Sequence, residues 1–358
     1  MAQIQSLMRS ALVYCILFVA AAMSVMLYYS ATKTVDVPDV AQDEVVSSTQ
    51  QKAEPDIPVG SDEIRIDRNS QSTNYFCVPI PEGVKAEEIV LENHYMNEEL
   101  WVSIQSSQPA IFQEFYAANG VYGNSGCVVD GHFEAGEERT YLRFALDGVY
   151  EYRSIFEDHI LYLEFVPPKE AYEKVVVIDP AYGGEEIGVT GKGVVAKDVT
   201  LNIAKALKTK FDESDIKVYY TRMDDSNPAS ADRVELAAAT KADMLIRIEV
   251  SGDENSKLYG TTAIYNSQFF IPGFGNVELA DLLEREVVTS ISGKAGGLVE
   301  ATQADEVIGG ATVPAAAIQV GYLTNSQEAI LLQREDYIER IADGIYQAVI
   351  KAYEMREK

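Results

Sequence analysis

Four stretches in the C-terminal half carry the side chains with chemical reach: Asp179 to Gly184, Gly193 to Leu201, Ile246 to Ser251 and Pro314 to Asn325. They lie at or near the ends of apolar runs that read as strands, and in a helix-flanked sheet ligands gather just beyond the carboxyl ends of strands. Their donors are oxygens. Asp179, Glu185, Glu186, Asp198 and Glu249 supply carboxylates, and a set of this kind suits Ca²⁺ or Mg²⁺. Glu185 and Glu186 suit a solvated loop face equally well. No histidine or cysteine follows His159, so the usual zinc-binding side chains are absent from this half. The three histidines upstream, His94, His132 and His159, lack the paired or i,i+4 spacing of a metal site and read as polar or half-buried side chains.

The elements that must position these stretches alternate between strand and helix. Val175 to Ile178 is a continuous β-branched run suited to a strand buried on both faces. Val199 to Phe211 has helical spacing through Leu201, Ala204, Leu207 and Phe211, with Asp198 as its expected N-cap. Strands are expected at Ile216 to Thr221, Met244 to Val250, Gly260 to Tyr265 and Ala315 to Val320. Helices are expected at Ala231 to Thr240, Val277 to Ile291 and Asp336 to Tyr353. Such alternation implies an α/β fold with a helix-flanked sheet over residues 171–358.

Residues 61–168 follow a different rhythm. Short apolar runs at Tyr75 to Ile80, Ile89 to Glu92, Leu100 to Ile104, Tyr141 to Leu146 and His159 to Val166 are separated by turn residues, as in a small β-sandwich. Pro167 and Pro168 close that region. Upstream, residues 33–60 are polar, acidic and proline-bearing, the composition of a disordered linker. Ser10 to Thr32 is uncharged and apolar, long enough for one membrane-spanning helix, which needs about 20 residues. A cleaved signal peptide is the alternative. Arg9 before the stretch, with no basic cluster after Lys33, points to a cytoplasmic N-terminus of residues 1–9 and to domains outside the cytoplasm.

Asp and Glu outnumber Lys and Arg by 56 to 29, a formal charge of −27, and no basic run occurs. That field repels polyanions and excludes a nucleic-acid partner. Cys15 falls in the apolar stretch, whereas Cys77 and Cys127 share the β-rich region and are either one disulfide or two buried thiols.

Taken in order, the four stretches resemble the zinc-dependent N-acetylmuramoyl-L-alanine amidases of the Amidase_3 type. Where that family reads Asp-Pro-Gly-His-Gly-Gly, this chain has Asp179-Pro180-Ala181-Tyr182-Gly183-Gly184. Glu-Lys-Asp-Val-x-Leu becomes Ala196-Lys197-Asp198-Val199-Thr200-Leu201. Thr221-Arg222 and the Arg-x-x-x-Ala pattern at Arg233 and Ala237 are kept. Ser-Ile-His-Ala-Asn aligns with Arg247-Ile248-Glu249-Val250-Ser251. The closing segment reads Pro314-Ala315-Ala316-Ala317-Ile318-Gln319-Val320-Gly321-Tyr322-Leu323-Thr324-Asn325, with glutamine at the family's catalytic glutamate. The resemblance runs from about Lys174 to the C-terminus.

Members of that family cut the bond between N-acetylmuramic acid and L-alanine with zinc-activated water. The resemblance therefore places three metal ligands at Tyr182, Ala196 and Glu249, and the general base at Gln319. A phenol with a reference pKa of about 10 is a poor ligand at neutral pH, and alanine is none. An amide cannot relay a proton, an assistance worth about 10² to 10⁴ in rate. The expectation is a pseudoenzyme with the fold kept and the zinc lost. Tyr182 and Gln319 are expected to hydrogen-bond across the vacated site. The implied setting is the bacterial cell membrane, and the implied partners are peptidoglycan or muropeptide, a cell-wall hydrolase, or a division protein. Two other functions remain open: an active amidase with atypical ligands, and an interaction protein working through the β-rich domain.

Overall fold

The computed structural model describes residues 62–68, 73–105, 109–136 and 138–356. The apolar stretch Ser10 to Thr32 and the acidic linker lie outside the described residues, among which no helix is long and apolar enough to cross a membrane. The described residues form two compact units, one of residues up to Asp147 together with Glu151–Phe165, the other of Gly148–Tyr150 together with the residues from Val166 onward.

The first unit holds two five-stranded sheets. One has the order β1 (Asp62–Glu63), β7 (Val128–Ala135), β8 (Arg139–Leu146), β5 (Glu99–Gln105), β4 (Ile89–His94). The other runs β2 (Ile66–Asp67), β6 (Val121–Gly123), β3 (Phe76–Pro79), β10 (Ile160–Val166), β9 (Glu151–Glu157). Alternation along β8, with Thr140, Leu142, Phe144 and Leu146 buried and their neighbours half-buried, makes one face apolar. The rings of Phe76 on β3 and Phe144 on β8 meet edge to face at 5.1 Å, so side chains of the two sheets share one core. Helix α1 (Pro109–Asn119) was not legible in the sequence, nor were β7 and β9. Cys77 and Cys127 are unpaired thiols. Burial and the Asp147 carboxylate push Cys127 up to about 11, which leaves it protonated and unreactive at neutral pH.

The second unit is a six-stranded mixed sheet flanked by helices, of order β14 (Ile216–Tyr220), β11 (Lys174–Pro180), β15 (Met244–Ser251), β18 (Ala315–Tyr322), β16 (Thr261–Tyr265), β17 (Ala295–Glu300). β14, β11, β15 and β18 are parallel, whereas β16 runs antiparallel to β18 and β17 follows β16. A short helix α2 (Pro168–Ala171) leads into the sheet, and β12 (Thr190–Gly191) pairs with β13 (Val194–Val195) as a hairpin.

Even-numbered residues of the central strands, among them Val176, Ile178, Ile246, Ile248 and Ile318, face the main core. They meet α3 (Ala196–Phe211), α5 (Asn276–Ile291) and α8 (Glu335–Arg356). Ile203, Leu207, Ile341 and Ile345 are fully buried there, and each such side chain contributes about 1.5–3 kcal/mol. Because side chains alternate across a strand, Asp179, Arg247, Glu249 and Gln319 fall on the opposite face, the side that carries α4 (Ser230–Ala239) and α6 (Glu306–Gly310).

Helix α3 starts earlier than expected. Ala196 is its first residue and Val195 its N-cap, with no side-chain capping bond, so Asp198 sits in the first turn and is not the cap. The hairpin fixes this start, since the Ala196 N–H donates to the Val189 carbonyl at 2.9 Å. In its place Asp198 meets the helix dipole favourably. Asn325 does cap a helix, α7 (Ser326–Leu331), its side chain accepting from the Gln327 and Glu328 N–H groups.

Candidate functional site

Strand register assembles the site. Asp179 at the end of β11 stands beside Arg247 on β15, and Glu249 on β15 stands beside Gln319 on β18. Arg247 and Glu249 are two apart on one strand, hence on one face. Each of these polar groups finds its partner there.

Asp179 is fully buried and ionised by company. Burial alone would push its carboxyl up, but the Arg247 and Arg233 guanidinium groups and the Thr221 hydroxyl outweigh that and hold it below the ordinary range. Both arginines donate to it, and Thr221 donates at 2.6 Å. Arg233, on α4, also donates to the Tyr182 carbonyl at 3.2 Å and to Asn227 at 2.8 Å. Arg222 fans its guanidinium over the carbonyls of Pro180, Ala181, Lys197 and Asp224 at 2.7–2.9 Å. Thr221, Arg222 and Arg233 thus hold the turn after β11, which is the physical content of positions read from sequence as scaffold.

That turn is tight. Tyr182 adopts a left-handed φ of +67°, uncommon for a non-glycine residue. At Gly183 an added Cβ would lie 2.0 Å from the Ser226 carbonyl oxygen, so only glycine fits. Gly188 matters in another way. A Cβ there would sit 2.8 Å from both the Tyr182 ring and the Ala196 Cβ, so these three residues converge and fill one volume. Ala196 is fully buried beneath them.

At the centre, the Arg247 Nε donates to one Glu249 oxygen at 2.7 Å, and the Gln319 amide donates to the other at 3.2 Å. The hydrogen bond expected between Tyr182 and Gln319 is replaced by this one. Gln319 turns to Glu249 because a carboxylate on the adjacent strand, at the same register, is the stronger acceptor. Burial, together with the Glu249 carboxylate, pushes the Tyr182 phenol up to about 12.

Of the four positions picked from sequence, Glu249 and Gln319 touch each other, while Tyr182 and Ala196 both border Gly188. The wider oxygen set does not assemble. Asp198 lines a different groove with Asn202, Lys205 and Glu335, Glu185 is exposed, and Glu186 accepts from Asn227. Among the described residues no three His, Cys, Asp or Glu side chains come together as a cation site.

The residues present do not fit zinc. Tyr182 is a neutral phenol, Ala196 has no donor atom, and both Glu249 oxygens are engaged by Arg247 and Gln319. Arg247 is the group that sequence reasoning passed over. A signal was available: an Arg and a Glu two apart inside the otherwise apolar run Met244 to Val250 must share a face, and buried charges pair.

Comparison with known proteins places this unit. Residues 176–351 match the family model for N-acetylmuramoyl-L-alanine amidase, Amidase_3. The uncharacterized protein YqiI of Bacillus subtilis is 29% identical over 198 residues, spanning 54% of this chain and 94% of that protein. The N-acetylmuramoyl-L-alanine amidase LytC of the same organism is 24% identical over 180 residues, 50% of this chain and only 36% of LytC. Among solved structures, the N-acetylmuramoyl-L-alanine amidase from Clostridium difficile 630 is 31% identical, covering 51% of this chain and 97% of that one, with a TM-score of 0.48. The matched span holds the sheet, Thr221, Arg222 and Arg233, and the cluster of Arg247, Glu249 and Gln319, and through it the chain belongs to the N-acetylmuramoyl-L-alanine amidase family.

Proposed function

We propose that the chain is a membrane-anchored, non-hydrolytic member of this family that serves peptidoglycan metabolism by holding muropeptide in its altered cleft. One observation carries the reading: the positions that the resemblance assigns to metal ligands and general base are closed by a Glu249–Arg247 ion pair and a Gln319 amide, inside an undisturbed frame. A neutral amide and a paired carboxylate leave water without a base to take its proton. The frame residues Asp179, Thr221, Arg222 and Arg233 serve the shape of the cleft and need no metal to do so.

The test uses the chain from residue 61 onward with purified peptidoglycan sacculi. Retention above a control protein of similar size and charge, with no stem peptide released in the presence of zinc, is the expected outcome. Release of stem peptides would make the chain an amidase with atypical ligands. No retention would sink muropeptide binding and turn attention to a cell-wall hydrolase or division protein as the occupant. Anchoring through Ser10 to Thr32 is tested separately. The full chain should stay with membranes after alkaline washing, and a shortened, soluble chain would indicate a cleaved signal peptide.

A further inference from the structure

We propose that Arg247 is an internal cation that supplies in this fold the positive charge a metal supplies in its relatives, and that it is the residue that keeps divalent metal out. The inference deepens the reading above, which concerns loss of chemistry, by naming what replaced the metal.

Charge balance motivates it. The resemblance assigns the site a divalent ion facing two carboxylates, one at position 196 and one at 319. Here both carboxylates are gone, as Ala196 and Gln319, and one carboxylate and one guanidinium have appeared, as Glu249 and Arg247. Both sets are neutral. A dication with two anions has become an ion pair, and the fifth substitution is as necessary to that balance as the other four.

Geometry agrees. Arg247 bridges Asp179 on β11 and Glu249 on its own strand, so one guanidinium ties the frame carboxylate to the former ligand position. It is well buried, with its side chain 16% exposed, and Glu249 is 13% exposed. A guanidinium fits this role because its fork serves two carboxylates at once and it does not deprotonate. An incoming dication would meet that fixed positive charge within a few ångströms, in a setting where solvent screens little.

The experiment separates this role from missing donors. The ligand set is restored as Y182H/A196E/E249H, once with Arg247 and once with Arg247→Ser, and zinc affinity is read by competition with a chromophoric chelator. Zinc is expected to bind at least about 100-fold more weakly when Arg247 is present, given the repulsion between the two cations at close range. Affinities equal within about threefold would overturn the proposal while leaving the non-hydrolytic reading of the native chain intact. If circular dichroism shows the restored variants unfolded, the smaller pair Y182H/E249H, which leaves Ala196 in place and still supplies two zinc donors, decides. Zinc should then raise the thermal midpoint of Y182H/E249H with Arg247→Ser and leave that of Y182H/E249H with Arg247 unmoved. Equal responses of the two variants would overturn it.

Discussion

Two aspartates sit at opposite ends of the same pair of strands and are used differently. Asp243, just before β15, accepts from Lys169 at 2.8 Å, the Val175 N–H at 2.9 Å, the Tyr353 hydroxyl at 2.9 Å and Arg356 at 3.1 Å. It stitches the entry to the domain onto the last helix. Its cationic partners stay partly in water, with side chains 28% and 33% exposed. Asp179, just where β11 ends, has no exposure at all, and its partners Arg233 and Arg247 are 3% and 16% exposed. The first cluster joins elements that already pack together, whereas the second carries charge into the interior, where Arg247 also reaches Glu249. A buried charge is tolerated only when its partners are complete, so the two clusters should differ sharply in what a single deletion costs.

The largest effect is expected for Asp179→Asn. It leaves Arg233 and Arg247 without their shared carboxylate, and breaking a buried pair of this kind costs about 3–5 kcal/mol. The shift of the urea midpoint measures it. The same residue sets a pH signature. Its folded pKa lies below the unfolded value of about 3.9, so its contribution is fully present above that value and is lost as pH falls through the folded one. Wild type should therefore lose stability below about pH 4 more steeply than Asp179→Asn, and parallel acid profiles would contradict the assignment.

Arg247→Met comes next, at about 3 kcal/mol, because Glu249 is stranded while Asp179 keeps Arg233 and Thr221. Restoring a carboxylate by Ala196→Glu should cost about 1–3 kcal/mol through overpacking against the Tyr182 ring and Gly188. Tyr182→Gly should relieve a good part of that cost. A purely additive double mutant would show that the ring and residue 196 are not in contact. Asp243→Asn should cost the least, about 1–2 kcal/mol, since two of its donors remain hydrated and the amide can still accept. If Asp243→Asn proved as costly as Asp179→Asn, the distinction between the two ends of the sheet would fail.

Much of the amidase-like unit was legible because its signals are local. Val175 to Ile178, Met244 to Val250 and Ala315 to Val320 are apolar runs flanked by turns, and the helices at Asn276–Ile291 and Glu335–Arg356 carry regular apolar stripes. The edge strand Ala295–Glu300 was missed because it is mostly exposed and contains two glycines, so no buried pattern marks it. In the first unit, β7 interrupts its alternation with Asp130, Gly131 and His132, and β9 is mostly polar, which hid both.

In the sequence the site could be read only as substitutions against the family pattern, at Tyr182, Ala196, Glu249 and Gln319, one residue at a time. The Asp179–Arg247 and Glu249–Gln319 pairings could not be read there, because they depend on which strands lie side by side, 68 and 70 residues apart in the chain. Tyr182 was assigned the wrong partner for the same reason. Its ring packs toward Ala196 and Gly188, a contact set by the left-handed backbone at Tyr182 and the hairpin that starts α3.

The zinc-to-protein ratio of the purified native chain, after equilibration with micromolar zinc and removal of free metal, tests the replacement most directly. A ratio far below one per chain is expected if Arg247 stands in for the metal and Glu249 is the one charged donor at the positions the resemblance assigns to ligands. One firmly held zinc per chain would contradict it.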